Sequence, residues 1–341
     1  MGFLKRVWYA CAWTDELIDN APLARTIAGM PLVFFRAPDG RVSALDDKCP
    51  HRLAPLSRGR ITEKGIRCGY HGLEFNHMGQ CIGNPHGPVT SSLRVTAYPV
   101  AERHGLIWAW LGSPAETIES TIPDLSFIDR TTPTAFIHGY LQIKADHLLM
   151  VDNILDLSHA DYLHPDSLGG GSISRTKPTF EERPESLFVS WTCVDEVPLP
   201  VFRPLLPTPE TRCDMWTEVE WFPNGVMILQ VGAVPSGQPR QSGIDTWNAH
   251  IMTPEIKGRT HYLYCSTRNF LTEDADYNRA FGVALRTAFE LEDKPMIEAQ
   301  QERVGDVDLL ERGPALMGID TASVRARRVW GQRFRAEHPA A

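Results

Sequence analysis

Four residues restrict this chain before any periodicity is considered: Cys49, His51, Cys68 and His71, in the pattern C-x-H-x16-C-x2-H. Each half offers one thiolate and one imidazole from a short turn, so a chain that uses all four must fold two loops against each other around a hairpin. Zinc fingers usually group their ligands as a Cys pair followed by a His pair. The alternation Cys, His, Cys, His instead suits a [2Fe–2S] cluster with one iron on two Cys and the other on two His. A zinc ribbon is the alternative reading. Pro50 stiffens the first loop, while Gly69 and Gly72 allow the backbone to approach the sulfurs closely. Cys81 needs no metal role and reads as a small buried residue; His77 and His86 lie in Gly/Asn/Pro-rich turns and read as exposed loop histidines.

A second stretch, Asp152 to His164, reads D-N-I-L-D-L-S-H-A-D-Y-L-H. On a continuous helix Asp152, Asp156 and His159 follow i, i+4, i+7 spacing and share a face. Pro165 pushes His164 out of the α region, so the helix is expected to end near Leu163. The His164 imidazole is then free to swing back towards His159. Two imidazoles and one carboxylate from elsewhere make the facial triad of non-haem Fe(II) sites. The carboxylates Glu290, Glu292 and Asp293 stand just before Pro295, which frees the carbonyl of Leu291 and should kink or restart a helix. Charged residues on a helix ordinarily form its solvated face, but this is the best-placed acidic cluster to complete such a site.

The rest of the chain supplies a frame for both stretches. At 341 residues it has room for two domains, and we place them at residues 1–125 and 126–341. Residues 1 to about 112 read as short strands and turns: Val7 to Trp13, a hairpin of Leu32–Arg36 and Val42–Leu45 around Pro38-Asp39-Gly40, and Leu106–Leu111. Ser113 to Pro133 reads as a linker ending near 125. Beyond it Phe136–Ile143 reads as a strand, and further strand-like runs begin at Leu187, Trp216, Val226, Thr246 and His261. They suggest one antiparallel sheet with helices packed on it. Two long irregular segments, Gly169 to about Arg183 and Pro198 to Pro209, are either lids or surface excursions. Glu273 to Val304 is helical in pattern, with Phe281, Leu285, Ala288 and Phe289 on one stripe. Thr321 to Glu337 reads as a basic, solvated or subunit-facing helix. The fold class is α+β, an all-β domain followed by a sheet-plus-helices domain.

Composition excludes several functions. A net charge of −8 argues against nucleic acid as the main partner. Seven scattered cysteines do not form a secreted disulfide framework. The apolar stretch near residue 7 is too short for a signal peptide, and no run is long enough to span a membrane. The expectation is a cytoplasmic protein.

With both motifs taken together, the chain resembles the Rieske non-haem iron oxygenases over nearly its full length. Within them it is most similar to compact terminal oxygenases of the vanillate O-demethylase, dicamba O-demethylase and toluenesulfonate methyl-monooxygenase kind. Cys49-Pro50-His51-Arg52, Cys68-Gly69-Tyr70-His71-Gly72, Val151 to His164, Ser266-Thr-Arg-Asn-Phe270 and Glu292-Asp293 carry the likeness. The resemblance implies a Rieske [2Fe–2S] cluster on Cys49, His51, Cys68 and His71. It implies a mononuclear Fe(II) on His159, His164 and Asp293, and a catalytic domain of helix-grip, START-like form. It implies that Asp156 bridges subunits of a homotrimer, bonding an iron-ligating histidine of its own chain, and that Asn153 lies close to the iron.

The implied reaction uses O2, with electrons from NAD(P)H arriving only through a flavin- or ferredoxin-type reductase, with or without a separate ferredoxin. It hydroxylates or O-demethylates a substituted aromatic, carboxylated or sulfonated by analogy with the family. A cis-dihydrodiol-forming dioxygenase and a Rieske electron carrier are the rival readings. For an anionic substituent the sequence offers Arg203, Arg212, His250 and Gln230, and His250 and Gln230 are the substrate-binding candidates carried forward. Pattern alone favours a structural His250.

Overall fold

The structure, a computed structural model, describes residues 2–18, 21–37, 39–208 and 210–339, so that Pro38 and Pro209 of the expected turns lie outside the described residues. It divides into two compact units. The first comprises Gly2–Pro123 together with Thr253–Ile256. Its strands are β1 (Trp8–Trp13), β2 (Leu23–Ile27), β3 (Met30–Arg36), β4 (Val42–Asp46), β5 (Arg60–Thr62), β6 (Gly65–Arg67), β7 (Glu74–Phe75), β8 (Cys81–Gly83), β9 (Ala97–Tyr98), β10 (Val100–Arg103) and β11 (Leu106–Trp110). They form three antiparallel sheets ordered β1-β11-β10, β2-β3-β4-β9 and β5-β6-β7-β8. β1 and β11 carry unbroken apolar runs because both of their faces are buried. The expected hairpin is β3–β4, with Phe34 opposite Ala44. Phe34, Ile107 and Ala109 lie in one buried cluster, Phe35, Phe75, Cys49 and Cys68 in another.

The four residues contributed from beyond position 250 are tied into this unit by hydrogen bonds. Ala28 and Gly29 donate backbone N–H bonds of 2.7 Å to Pro254 O and Glu255 O. The Thr253 hydroxyl donates to Ala10 O at 2.6 Å.

The second unit takes Asp124–Met252 and Lys257 onward. Its seven strands are β12 (Phe136–Ile143), β13 (Thr179–Glu182), β14 (Leu187–Glu196), β15 (Cys213–Trp221), β16 (Val226–Pro235), β17 (Ile244–Ile256) and β18 (Arg259–Arg268), in the order β12-β18-β17-β16-β15-β14-β13. The helices are α1 (Ser126–Asp129), α2 (His147–Leu155), α3 (Ala160–Leu163), α4 (Ala275–Thr287), α5 (Lys294–Val304) and α6 (Thr321–Glu337). The strands are longer than their apolar runs suggest, and β13 occupies part of the segment read as loop. It is exposed throughout, so it carries no buried periodicity to betray it. No helix among the described residues is long and apolar enough to cross a membrane.

One expectation fails. Asp152, Asp156 and His159 do not share one helical face, because α2 ends at Leu155 and Asp156 leaves the helical region at φ −127°, ψ 84°. Its carboxylate accepts from the backbone N–H of Ser158 at 3.1 Å and from the Ser158 hydroxyl at 2.6 Å, capping a fresh 3-10 turn at Leu157–His159. An aspartate that caps the next turn competes with the helix it interrupts. Asp152 turns instead to Arg327 of α6, 2.5 Å away, which also holds Asp308 at 2.6 Å. α6 is therefore not simply a solvated basic helix: Arg327, Ala326 and Trp330 are buried.

Candidate metal centres and the cavity beside them

The two loops of the first motif are built alike. Cys49 N–H donates to Ala54 O and Leu53 N–H returns to Cys49 O; Cys68 N–H donates to Leu73 O and Gly72 N–H returns to Cys68 O. Leu53 and Gly72, at matching positions, both have positive φ, 57° and 75°. A Cβ on Gly69 would stand 2.7 Å from Arg58 O, so the second loop closes only with glycine there. Both cysteines are buried, while the His51 and His71 rings meet edge-on with centroids 4.5 Å apart nearer the surface. Burial, with the Cys68 thiol beside it, pushes the Cys49 thiol up to about 11. Two adjoining buried sulfurs become thiolates together only when a metal takes the place of their protons. Two inner sulfurs and two outer imidazoles on twin loops fit a [2Fe–2S] cluster. His86 is an exposed turn histidine as expected, and its Nε2 lies 3.0 Å from His71 O.

In the second unit the structure brings His159, His164 and Asp293 together, one ligand atom of each within 4.8 Å of the others. His164 Nε2 is 3.2 Å and His159 Nε2 3.5 Å from Asp293 Oδ1. The opposite ring nitrogens are already engaged. His159 Nδ1–H donates to the backbone oxygen of Asp156 at 2.6 Å, and His164 Nδ1–H to Glu292 Oε2 at 2.5 Å. With each Nδ1–H so held, each Nε2 is turned to the third ligand, where it donates to Asp293 when the ring is protonated and offers its lone pair to a metal when it is not, the orientation metal-bound histidines require. Burial works against the charge of Asp293, but hydrogen bonds to the two imidazoles outweigh it and hold its carboxyl well below the usual range. Burial likewise pulls His164 down, yet Asp293 and Glu292 lift it above an ordinary histidine. The cluster is built to hold positive charge, and it fits a divalent cation.

The local folds explain this convergence. α3 ends at Leu163 and His164 sits at φ −123°, ψ 45°, as Pro165 requires. Ala288–Asp293 winds as one π-helical turn between α4 and α5, in which Lys294 N–H reaches back to Phe289 O. Such turns are frequent at functional sites because the extra residue shifts the helix register. Here it turns Asp293 inward and leaves Leu291 66% exposed. Asn153 donates to Asp293 Oδ1 at 3.2 Å and lies 3.4 Å from His159 Nε2, so it does stand at the site. Asp156 also belongs to it, but through its backbone carbonyl. The expected carboxylate bond to the imidazole is absent, because the imidazole Nδ1–H goes to the Asp156 carbonyl while carboxylate Oδ1 is taken by Ser158.

The triad forms part of the wall of a cavity of about 100 Å³. Its apolar lining includes Phe202, Leu229, Phe281, Leu285 and Phe289. β16 and the stripe of Phe281, Leu285 and Phe289 border it, and both irregular segments contribute, through Ile173 and through Leu199 and Phe202. His250 lines it too, buried, its Nδ1 2.6 Å from the Tyr262 hydroxyl; burial pulls it down to about 4, so the ring is neutral. Gln230 is a correction. Strand alternation sends it to the other face of the sheet, where its amide bonds Asp245. Arg203 and Arg212 are exposed and engaged with Pro198 O and Asp195. The sequence reading missed Thr217 and Asn248, and it named Glu292 without its bond to His164. Asn248 was detectable, being two residues from His250 on the same face of β17.

Comparison with known proteins decides the family. Residues 143–336 match the vanillate O-demethylase oxygenase C-terminal domain, and residues 7–99 the Rieske [2Fe-2S] domain. The chain belongs to the vanillate O-demethylase family of Rieske non-haem iron oxygenases. It is 35% identical to the dicamba O-demethylase oxygenase component of Stenotrophomonas maltophilia, covering 96% of this chain and 97% of that one. It is 33% identical to the chloroacetanilide N-alkylformylase oxygenase component of Rhizorhabdus wittichii, covering 98% and 97%. The crystal structure of dicamba monooxygenase bound to dicamba superposes with a TM-score of 0.92 at 33% identity, over the whole of both chains. As a Rieske oxygenase of this family the chain is the oxygenase component of a multicomponent monooxygenase, an oxidoreductase that takes electrons from a partner protein. The dioxygenase and electron-carrier readings fall away.

Proposed function

We propose that this oxygenase hydroxylates a methyl or alkyl carbon on a single-ring aromatic compound, with loss of that carbon where it is bonded to a heteroatom. The observation that carries this is a two-histidine, one-carboxylate site in the wall of an apolar cavity of about 100 Å³, on the scale that receives one ring. The relatives support it, being named for dicamba, vanillate, toluene-4-sulfonate and chloroacetanilide. When bound, the iron supplies oxygen activation, with electrons delivered through the Rieske cluster. His159, His164 and Asp293 would hold it, one ligand atom from each. Phe281, Leu285 and Phe289 present the ring to it and keep loose water away. A methyl ether so hydroxylated is a hemiacetal that collapses to a phenol and formaldehyde; a methylarene gives a benzylic alcohol.

The working form in this proposal is a cytoplasmic homotrimer served by a flavin- or ferredoxin-type reductase. All seven cysteines are unpaired, in keeping with a reducing compartment. Asp156, Asn153 and His159 border a surface hollow beside the exposed side chains of Met296 and Leu316, where a neighbouring subunit would reach the Asp156 carboxylate. Iron and acid-labile sulfide per chain test the assignment. We expect about three irons and two sulfides in the parent and about two irons with sulfide unchanged in Asp293→Ala. Asp156→Asn is expected to keep both metal counts and lose reductase-coupled oxygen uptake. Two irons in parent and Asp293→Ala alike, after Fe(II) reconstitution, would sink the proposal.

A further inference from the structure

Beyond the triad, β15 and β17 give the cavity its polar side chains, and their hydrogen bonds fix what each can offer a ligand. The Asn248 amide Nδ2 donates to Leu229 O at 2.9 Å and to the Thr246 hydroxyl at 3.3 Å. A backbone carbonyl accepts only from an N–H, so the orientation of the amide is settled. Thr246 in turn donates to Val231 O at 3.2 Å. Asn248 Oδ1 has no partner among the described residues, so this residue presents an acceptor. The Tyr262 hydroxyl has His250 Nδ1, 2.6 Å away, as its one partner among them, and we take the hydroxyl as the donor because the alternative leaves its O–H unpaired. The His250 proton is then on Nε2, and this residue presents a donor. Thr217 adds a hydroxyl that can do either. No arginine or lysine lines the cavity.

Resting on the oxygenase reading, we propose that the substrate is an uncharged aromatic bearing a carboxamide-type group. Asn248 accepts from its N–H, and His250 donates to its carbonyl oxygen. A carboxylate or sulfonate in the same place finds no arginine or lysine among the described lining residues. It brings no proton for Asn248 and sets its own oxygen against the amide oxygen. Leaving such polar groups mismatched in a buried site is what makes pockets discriminate between near-isosteric ligands. The family expectation of an anionic substituent is therefore not one that this cavity serves.

Matched ligand pairs test the proposal: the ortho, meta and para methoxybenzamides against the corresponding methoxybenzoates. Each is titrated calorimetrically into the anaerobic, iron-loaded enzyme, with oxygen uptake and product measured in parallel with a reductase. The expected result is that the tightest-binding carboxamide exceeds its carboxylate partner by about tenfold or more, the scale of one satisfied against one mismatched hydrogen bond. Asn248→Leu, checked for unchanged iron content and melting temperature, is expected to erase most of that ratio. Carboxylates binding as tightly as carboxamides, or no binding in either series, would overturn the proposal. An unchanged ratio in Asn248→Leu would overturn the role given to Asn248. The oxygenase reading fails separately: it falls if the mononuclear iron is missing, and it survives if methoxybenzoates are bound and turned over.

Discussion

Asp146 shows how a single side chain ties stability to the iron site. It caps α2, accepting from Leu148 N–H at 2.9 Å, and α2 carries Asn153 and ends at Leu155, just before Asp156. Burial opposes its charge, but His147, the Leu148 N–H and Arg327 outweigh that and draw it down to about 2, from 3.8. Because the folded value lies below the unfolded one, the ionised side chain stabilises the fold above about pH 4, and that contribution is lost as pH falls through about 2. Asp146→Asn keeps a capping oxygen and removes the charge. We expect it to melt lower than the parent at pH 7, by an amount equivalent to about 1 kcal/mol, since a third of the side chain meets solvent. The two melting curves should converge as the pH approaches 2, and a gap that persists there would refute the account. Residues governed by their immediate neighbours were the ones legible in sequence. His164 breaks from its helix because Pro165 follows it, and the Cys49 and Cys68 loops announce themselves through spacing. Gln230 was misplaced because which face it takes depends on strand register, and register is set by partners far along the chain.

At the scale of the element, the π turn decides whether there is an iron site. Sequence reasoning placed a kink before Pro295 but not its kind, because the extra residue registers only in the hydrogen-bond pattern: Lys294 to Phe289 rather than to Glu290. Leu291 is 66% exposed and makes no core contact that its loss would hollow out. Deleting it should restore an ordinary helix and swing Asp293 by about 100°, the turn of one residue. The expected outcome is a folded protein with its cluster absorption intact and the mononuclear iron gone. Retention of that iron would show that the helix can re-form the turn from its neighbours. The break at Asp156 was hidden for a related reason. Asp152, Asp156 and His159 have helical spacing, and only the competing bonds from Ser158 to Asp156 show that the helix stops short of His159.

For the whole molecule, the order of domains and the class of each were readable, since strand-and-turn punctuation gives way to a sheet with helices. What was not readable is that the first unit is discontinuous, because Thr253–Ile256 look like the end of one long strand, β17. A fragment of residues 1–123 leaves the Ala28 and Gly29 donors without Pro254 and Glu255, and Ala10 O without Thr253. We expect it to melt below the same fragment extended by a flexible linker and Thr253–Ile256, and to hold its cluster less well, followed by visible absorption during heating. Equal behaviour of the two fragments would count against this.

That tetrapeptide also bears on how such genes can be recombined. A crossover near codon 123 would join a new electron-accepting module to an old catalytic one while leaving the module's final stitch on the parent's side of the junction. Chimaeras between relatives should therefore work best when the incoming sequence at 253–256 is exchanged in the same step, making the functional unit of inheritance two segments rather than one.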